Sequence, residues 1–346
     1  MTSKKNILVA PLNWGLGHAT RCIPIINQLQ EQGFNPIIAS DGKALEILQK
    51  EFPNLKSIVL PSYNIQYPKK GKWLKWKLLF LTPQIIKATK SEYKIVQKLV
   101  KSENLSGIIS DNRFGVRSDK VPSVFITHQL NVLSGATTFF TSKLHQNIIN
   151  KFDECWIPDD EKLNYSGKLS QSNSIKKQKH IGVLSRFKKI DLPIIYDLLV
   201  LLSGVEPSRN QLEEKLLSEL KTYKGSVLFV RGKVKNQQKK VVKNNITTYN
   251  FLLTDELQTA INQSKLVLAR SGYSTIMDLA TLGKKSFFIP TTGQNEQEYL
   301  ATYLQNLKIA PFATQENFKV EMLEEVENYL GFKNSQNTTQ IDFNLF

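Results

Sequence analysis

The sequence predicts two doubly wound α/β domains, each built on a parallel sheet. Short apolar runs alternate with helical patterns in both halves of the chain, and a glycine-containing turn follows a strand and opens a helix in each half. Between the halves, a charged segment ending in proline interrupts the rhythm. A chain of 346 residues is long for one core and suits two.

In the first half, "NILVA" (6–10), "NPIIAS" (35–40), "KSIVLP" (56–61), "SGIIS" (106–110), "SVFIT" (123–127) and "ECWIP" (154–158) read as strands. Several are continuous apolar runs, as expected where both faces of a sheet are covered. Helical patterns occupy 19–32, 43–51, 84–102 and 138–151. The segment "VLSRFKKIDLP" (183–193) reads as a linker. After it, strands are expected in "IIYDLLVLLSG" (194–204), "SVLFVRG" (226–232), "NITTYNF" (245–251), "KLVLARSG" (265–272) and "KKSFFIP" (284–290), with helices at 208–223, 254–264, 274–282, 296–307 and 315–330. The expected organisation is a first domain over 1–185, a linker over 186–193, a second domain over 194–331 and a tail over 332–346. Two such domains facing each other would leave a central cleft at the carboxyl ends of their strands, where open α/β sheets bind ligands.

Composition narrows the function without choosing it. The 46 Lys and Arg against 30 Asp and Glu give a net charge of +16, which concentrates anions at the surface. Nucleic acid, phosphorylated small molecules and anionic lipids all fit that balance. Two cysteines, Cys22 and Cys155, are too few for a disulfide framework and are not spaced as metal ligands; both read as buried apolar filler. The N-terminal "MTSKK" runs into a strand with no signal-like region, and no stretch of about 18 apolar residues could span a bilayer. A cytoplasmic protein is expected.

Residues 13–21 read "NWGLGHATR" directly after the first strand. Gly15 and Gly17 can bring backbone N–H groups and a helix N-terminus against an anion. The loop is neither a dinucleotide fingerprint, since Thr20 stands at the third glycine position, nor a Walker loop. His18 and Arg21 place potential positive charge at a helix start, where the macrodipole disfavours cations unless an anion is present. The alternative is a tight structural turn.

A second such turn lies in "LARSGYSTIMDLATLGKKSFFIP" (268–290), where a strand runs into Arg270, Ser271 and Gly272 before a helix opens at Tyr273 to Thr275. A third lies in "LLSGVEPSRNQLEE" (201–214), where Arg209 could grip a phosphate bidentately; the segment also reads as an ordinary capped strand–loop–helix.

The "RSG" that opens a helix, Asp278 six positions after Gly272, the strand ending in proline and the following "TTGQNEQEYLA" together resemble the donor-binding segment of GT-B glycosyltransferases. The nearest resemblance is to the family 28 branch, which contains the UDP-N-acetylglucosamine transferase acting on lipid-linked muropeptide. "GLGHATR" is similar to the first glycine loop of that branch. The resemblance implies that the second domain holds a nucleotide sugar. Ser271 and Gly272, with the helix behind them, would bind the donor diphosphate; Arg270, Arg209, Gly15 and Gly17 are the further donor-binding candidates. Asp278 would accept hydrogen bonds from the ribose, Glu296 and Gln297 would grip the sugar, and the base would lie near Leu252 to Thr254. Glu298 departs from the branch, which has a second glutamine there, and leaves the sugar open.

Glycosyl transfer needs a base for the acceptor hydroxyl, stabilisation of positive charge at the anomeric carbon and neutralisation of the leaving diphosphate. Three strand-end residues are candidates in the first domain: His18, Asp111 in "IISDNRFG" and His128 in "FITHQLN". Asp111 is expected as the base with His128 nearby, and His18 as a stabiliser of the leaving phosphates. A buried structural Asp and a core His are the alternative readings. His145, in a helix, and His180, beside "KKQK", suit surface roles. Without an Asp-x-Asp motif or a histidine cluster, transfer is expected to need no metal and no cofactor.

Residues 63–101 mix many lysines with Trp73, Trp76, Leu78, Leu79 and Phe80, and Glu92 is the only acidic residue among them. Such a segment could lie on an anionic membrane surface, or pack as a basic amphipathic helix with its lysines in water. Nucleic acid ranks lower as a partner, because the basic residues are scattered and no nucleic-acid module is present. The sequence therefore points to a metal-independent, inverting glycosyltransferase that moves a sugar from a nucleoside diphosphate, UDP-linked by resemblance, to a sugar or lipid-linked acceptor, peripherally on the membrane's inner face. The competing readings are a nucleotide-sugar epimerase on the same fold and a non-catalytic membrane- or polyanion-binding protein.

Overall fold

The computed structural model describes residues 4–14, 17–63, 74–133, 138–204, 206–233, 237–333 and 340–346, with the side chains of 74–83 excluded. The chain forms two compact units, one holding the first half and the C-terminal residues, the other beginning at Ser185.

The first unit contains β1 (Asn6–Pro11), α1 (Gly17–Glu31), β2 (Asn35–Ser40), α2 (Gly42–Glu51), β3 (Ser57–Val59), α3 (Leu74–Ser102), β4 (Leu105–Asp111), β5 (Ser123–Ile126), α4 (Thr138–Ile149), β6 (Glu154–Ile157) and β7 (Gln178–His180). All strands are parallel, in the order β3-β2-β1-β4-β5-β6-β7. Alternate residues of β1 enter opposite layers, as the period of two requires. Ile7 and Val9 pack with Cys22, Ile26, Ile38 and Ile109, whereas Leu8 and Ala10 pack with Ile37, Val96 and Ile108. Each fully buried aliphatic side chain contributes about 1.5–3 kcal/mol. The strand order reverses between β1 and β4, so the loops that leave these two strands flank a crevice at the carboxyl edge.

Strand β7 escapes the sequence pattern because "QKH" has no apolar residue; its backbone pairs with β6, and His180 is half-buried at its end. In α3, Ala88, Val96 and Val100 face inward while Lys87, Lys90, Lys94, Lys98 and Lys101 stay exposed, which is the amphipathic packing arrangement. Residues 64–73 and the side chains of Trp76, Leu78, Leu79 and Phe80 lie outside the described set. Glu92 is fully buried and receives Arg113 Nε at 2.7 Å, Tyr63 Oη at 2.6 Å and the Gly115 N–H at 3.1 Å.

The C-terminal residues join this unit. Ile341, Phe343 and Phe346 enter the core beside Trp156, and Lys5 Nζ donates to the Phe346 carbonyl at 2.7 Å. Gly107 in β4 makes room for them, since a Cβ there would collide with the Phe346 ring.

The second unit contains β8 (Tyr196–Leu201), α5 (Ser208–Glu219), β9 (Val227–Val230), β10 (Lys240–Lys243), β11 (Ile246–Tyr249), α6 (Thr254–Asn262), β12 (Ser264–Ala269), α7 (Tyr273–Leu282), β13 (Lys285–Phe288) and α8 (Asn295–Asn306). Its sheet runs β10-β11-β9-β8-β12-β13, parallel except for the edge strand β10. The unpredicted β10 is an exposed hairpin partner of β11, turned by Asn244 at φ +53°. Its order reverses between β8 and β12. The helix expected over 315–330 is instead a 3₁₀ helix over Val320–Asn328. Its buried residues Val320, Leu323 and Val326 recur every third position, which matches three residues per turn.

Candidate active site

At the carboxyl edge of the first unit, β4 ends on Asp111 and α1 begins just beyond β1. The first turn of α1 supplies Gly17 and His18, and Arg21 follows one turn later on the same face. Gly15 lies outside the described residues. Asp111 is fully buried, Arg21 is 4% exposed and His128, just after β5, is 6% exposed.

These side chains form one cluster. Arg21 donates from Nε to Asp111 Oδ2 at 2.7 Å and from Nη2 to Asp111 Oδ1. Its Nη1 donates to His128 Nδ1 at 3.1 Å. His18 Nδ1 lies 2.8 Å from Asp111 Oδ1. The Cys22 thiol points at Asp111 Oδ2 from 3.7 Å, and burial pushes that thiol well above its ordinary pKa.

This geometry corrects the role expected for Asp111. Burial alone would raise its carboxyl, but the Arg21 guanidinium and His18 outweigh it and hold the carboxyl well below the usual carboxylate range. A sealed, ion-paired anion has little appetite for an acceptor's proton. His18 is the member that reaches solvent, with 16% of its side chain exposed. His145 also departs from the surface role expected of it. Its ring stands edge-on to Phe114 and Phe125, Nε2 is buried without a hydrogen-bond partner, and burial drops its pKa to about 4.

In the second unit, Arg270, Ser271 and Gly272 follow β12 and lead into α7, with Gly272 at the N-cap. Gly272 has φ −74°, and a Cβ built on it would meet nothing within 4 Å. Neither backbone strain nor crowding demands glycine there. Ser271 is fully buried and donates to the Gln297 carbonyl at 2.8 Å, tying α7 to α8.

Arg270, one of the donor-binding candidates, is a strut. Its guanidinium donates to the carbonyls of Ile289 at 3.1 Å, Pro290 at 2.9 Å and Ser208 at 3.3 Å, and to Gln315 Oε1 at 2.8 Å. Burial lowers its pKa to about 10. All these acceptors are neutral and Nε is buried without a hydrogen-bond partner, so Arg270 adds positive potential close to the start of α7.

Arg209 is likewise consumed. It donates to Glu206 Oε1 at 2.8 Å, Glu213 Oε2 at 2.6 Å and the Arg231 carbonyl at 3.0 Å, and it is 2% exposed. Glu213 is shared further with Arg231 and with Lys233 at 3.4 Å. That network leaves Arg209 no donor for a phosphate.

Gln297, an expected sugar ligand, and its neighbour Glu298 support the loop before α8. Gln297 Oε1 accepts the Thr291 N–H at 2.8 Å, and Glu298 Oε1 accepts the Gly293 N–H at 2.8 Å. Glu296 stands in the first turn of α8. The Gln297 amide nitrogen has no protein partner among the described residues. Glu298, the position that departs from the family pattern, holds backbone.

Asp278, on α7, accepts the Ser185 hydroxyl at 2.7 Å. Burial raises its pKa to about 6, against the lowering influence of Arg186 and Ser185. Arg186 Nη1 reaches Thr254 Oγ1 at 3.3 Å, at the start of α6. The segment read as a linker therefore joins the expected ribose residue to the expected nucleobase loop, with Phe187 under the guanidinium. Sequence reasoning missed Ser185 and Arg186, although a "SR" pair bordering a strand-poor segment was the available signal. Among the described residues, no group of three or more His, Cys, Asp or Glu is arranged to hold a metal ion.

Residues 201–342 match the glycosyltransferase family 28 C-terminal domain. A UDP-N-acetylglucosamine--N-acetylmuramyl-(pentapeptide) pyrophosphoryl-undecaprenol N-acetylglucosamine transferase from Haemophilus ducreyi is 23% identical, over 89% of this chain and 84% of its own length. An uncharacterized glycosyltransferase from Methanosarcina acetivorans is 23% identical, over 92% of this chain and 89% of its own. Among solved structures, the glycosyltransferase of kitacinnamycin superposes with a TM-score of 0.65 at 12% identity, covering 94% of this chain and 90% of that one. MurG from Acinetobacter baumannii superposes with a TM-score of 0.57 at 15% identity, covering 95% and 93%.

Proposed function

We propose that the chain, whose residues 201–342 match the family 28 C-terminal domain and whose fold is that of the GT-B glycosyltransferases, transfers a hexose or N-acetylhexosamine from a UDP-sugar to a lipid-borne hydroxyl, with inversion. The observation that carries this reading is the His18–Asp111 pair. A carboxylate on Nδ1 fixes the ring and leaves Nε2 to face the acceptor.

His18 takes the acceptor proton, and Asp111 stabilises the imidazolium that forms, as an anion already held in place. The acceptor oxygen displaces the diphosphate at the anomeric carbon in one step, which inverts it. Negative charge that develops on the leaving diphosphate meets the N-terminus of α7 at Gly272, where a glycine lets phosphate oxygens approach the backbone, with the buried charge of Arg270 behind it. Asp278 receives the ribose hydroxyls, and the Gln297 amide donates to the sugar.

The named relatives support UDP and a polyprenyl-linked acceptor. No helix among the described residues is long and apolar enough to cross a membrane. A surface contact is supported by α4, where Phe139, Phe140 and Leu144 are 69%, 74% and 62% exposed beside Lys143. The test is UDP release from UDP-N-acetylglucosamine and UDP-glucose, with and without a bacterial lipid extract as acceptor source. Release that requires the extract is the expected result. Turnover that ignores it would point to hydrolysis or epimerisation, and no turnover of any nucleotide sugar would contradict the reading.

A further inference from the structure

Arg21 lies at the centre of the first unit's cluster and touches Asp111, His18 and His128. A guanidinium carries only donors and keeps its charge in proteins. A ring nitrogen that receives a hydrogen bond from it must present a bare lone pair. Nδ1 of His128, 3.1 Å from Arg21 Nη1, is therefore unprotonated, and the neutral His128 ring carries its proton on Nε2.

The opposite holds at His18. Its Nδ1 is 2.8 Å from Asp111 Oδ1, an atom that bears only lone pairs while the carboxyl is ionised. Two lone pairs would repel at that distance, so Nδ1 of His18 holds a proton. Arg21 Nη2 lies 2.8 Å from the same Nδ1, which is the third side of a triangle whose two donors converge on Oδ1. A carboxylate oxygen accepts two such bonds.

We propose that Arg21, acting through Asp111 and His128, sets the two histidines in opposite tautomers, Nδ1–H at His18 and Nε2–H at His128, so that His18 offers a lone pair at Nε2. Arg21 is then a positioning residue for the transfer, and the proposal rests on the reading of His18 as the base. Its chemical consequence is a division of labour: the His18 ring takes the proton of the acceptor hydroxyl, while the neutral His128 ring accepts from Arg21 and holds the guanidinium against Asp111. A lysine in place of Arg21 supplies the charge without the planar fork that reaches Asp111 and His128 together.

The test is two-bond ¹H–¹⁵N spectroscopy of the full chain labelled with ring-¹⁵N histidine, recorded above the titration of the rings. The four histidines are assigned by single His→Gln variants. The expected result is an Nδ1–H tautomer at His18 and an Nε2–H tautomer at His128. In Arg21→Lys, His128 should become a mixture of tautomers while His18 keeps its own, and kcat should fall about 10²-fold with the donor KM unchanged. The reverse tautomer at either ring in the unmodified protein would overturn the proposal, as would an unchanged His128 signature in a folded Arg21→Lys protein. Once the rings are assigned, the unmodified spectrum reads both tautomers without a substrate and without the Arg21→Lys protein. Predicted tautomers in a protein that turns over no nucleotide sugar would remove the transferase reading and leave the hydrogen-bond assignment standing.

Discussion

His18 Nδ1 and Asp111 Oδ1 meet at 2.8 Å across the strand-order reversal of the first unit, one side chain reaching solvent and the other sealed from it. In the proposed transfer the pair divides a base into two parts, a ring that exchanges a proton and a buried anion that holds the ring.

Replacing His18 by Gln should therefore cut turnover by about 10²- to 10⁴-fold while leaving donor affinity unchanged. Steady-state kinetics beside donor titration separates the two quantities. An equal loss of donor binding would place His18 on the diphosphate instead.

Asp111→Asn should damage both chemistry and stability. Arg21 would stay buried without its anion, a change that typically costs about 3–5 kcal/mol. Because the folded-state pKa of Asp111 is depressed, its contribution is present above the unfolded carboxylate pKa and is lost as pH falls through the folded value. Denaturant melts across acid pH should thus show a steeper acid loss in the native protein than in Asp111→Asn.

Asp278 behaves with the opposite sign. Its pKa is raised to about 6, so the folded state takes up its proton more readily and this group favours folding more as pH falls through that value. In the proposed donor site the ribose hydroxyls donate to this carboxylate, so donor affinity should weaken below about pH 6. Asp278→Asn should bind donor weakly at every pH and lose that dependence. Titrations at pH 5 and pH 8 check it.

Gly107→Ala tests the C-terminal residues. A Cβ there meets the Phe346 ring, and overpacking of this kind costs about 1–3 kcal/mol. A shift in the denaturation midpoint, matched by removal of the last residues, would confirm that they belong to the first unit's core.

Much of this architecture was legible in the sequence because buried parallel strands announce themselves as continuous apolar runs, as in "NILVA" and "SVFI". "QKH" and "KVVK" gave no such signal, since β7 and β10 are edge strands defined by backbone pairing. Among site residues, those at strand ends were visible as positions, and their roles were not. Arg209 carried a readable clue in Glu206 and Glu213, spaced one helical turn to either side. Arg270 carried none, because the carbonyls it binds come from Ser208, Ile289 and Pro290, far apart in the chain. Asp111 looked like a base until its burial beside Arg21 was known.

The measurement that tests the central claim most directly is calorimetric titration with UDP, UDP-glucose and UDP-N-acetylglucosamine, on the native chain and on Gly272→Ala. Alanine fits that position without strain or collision, so the fold should be kept, with only the loss of a glycine N-cap. The account predicts micromolar binding of at least one UDP-sugar, weakened tenfold or more when the methyl group stands between α7 and the diphosphate. No heat with any of the three ligands, or equal affinity in the variant, would contradict a donor site at the start of that helix.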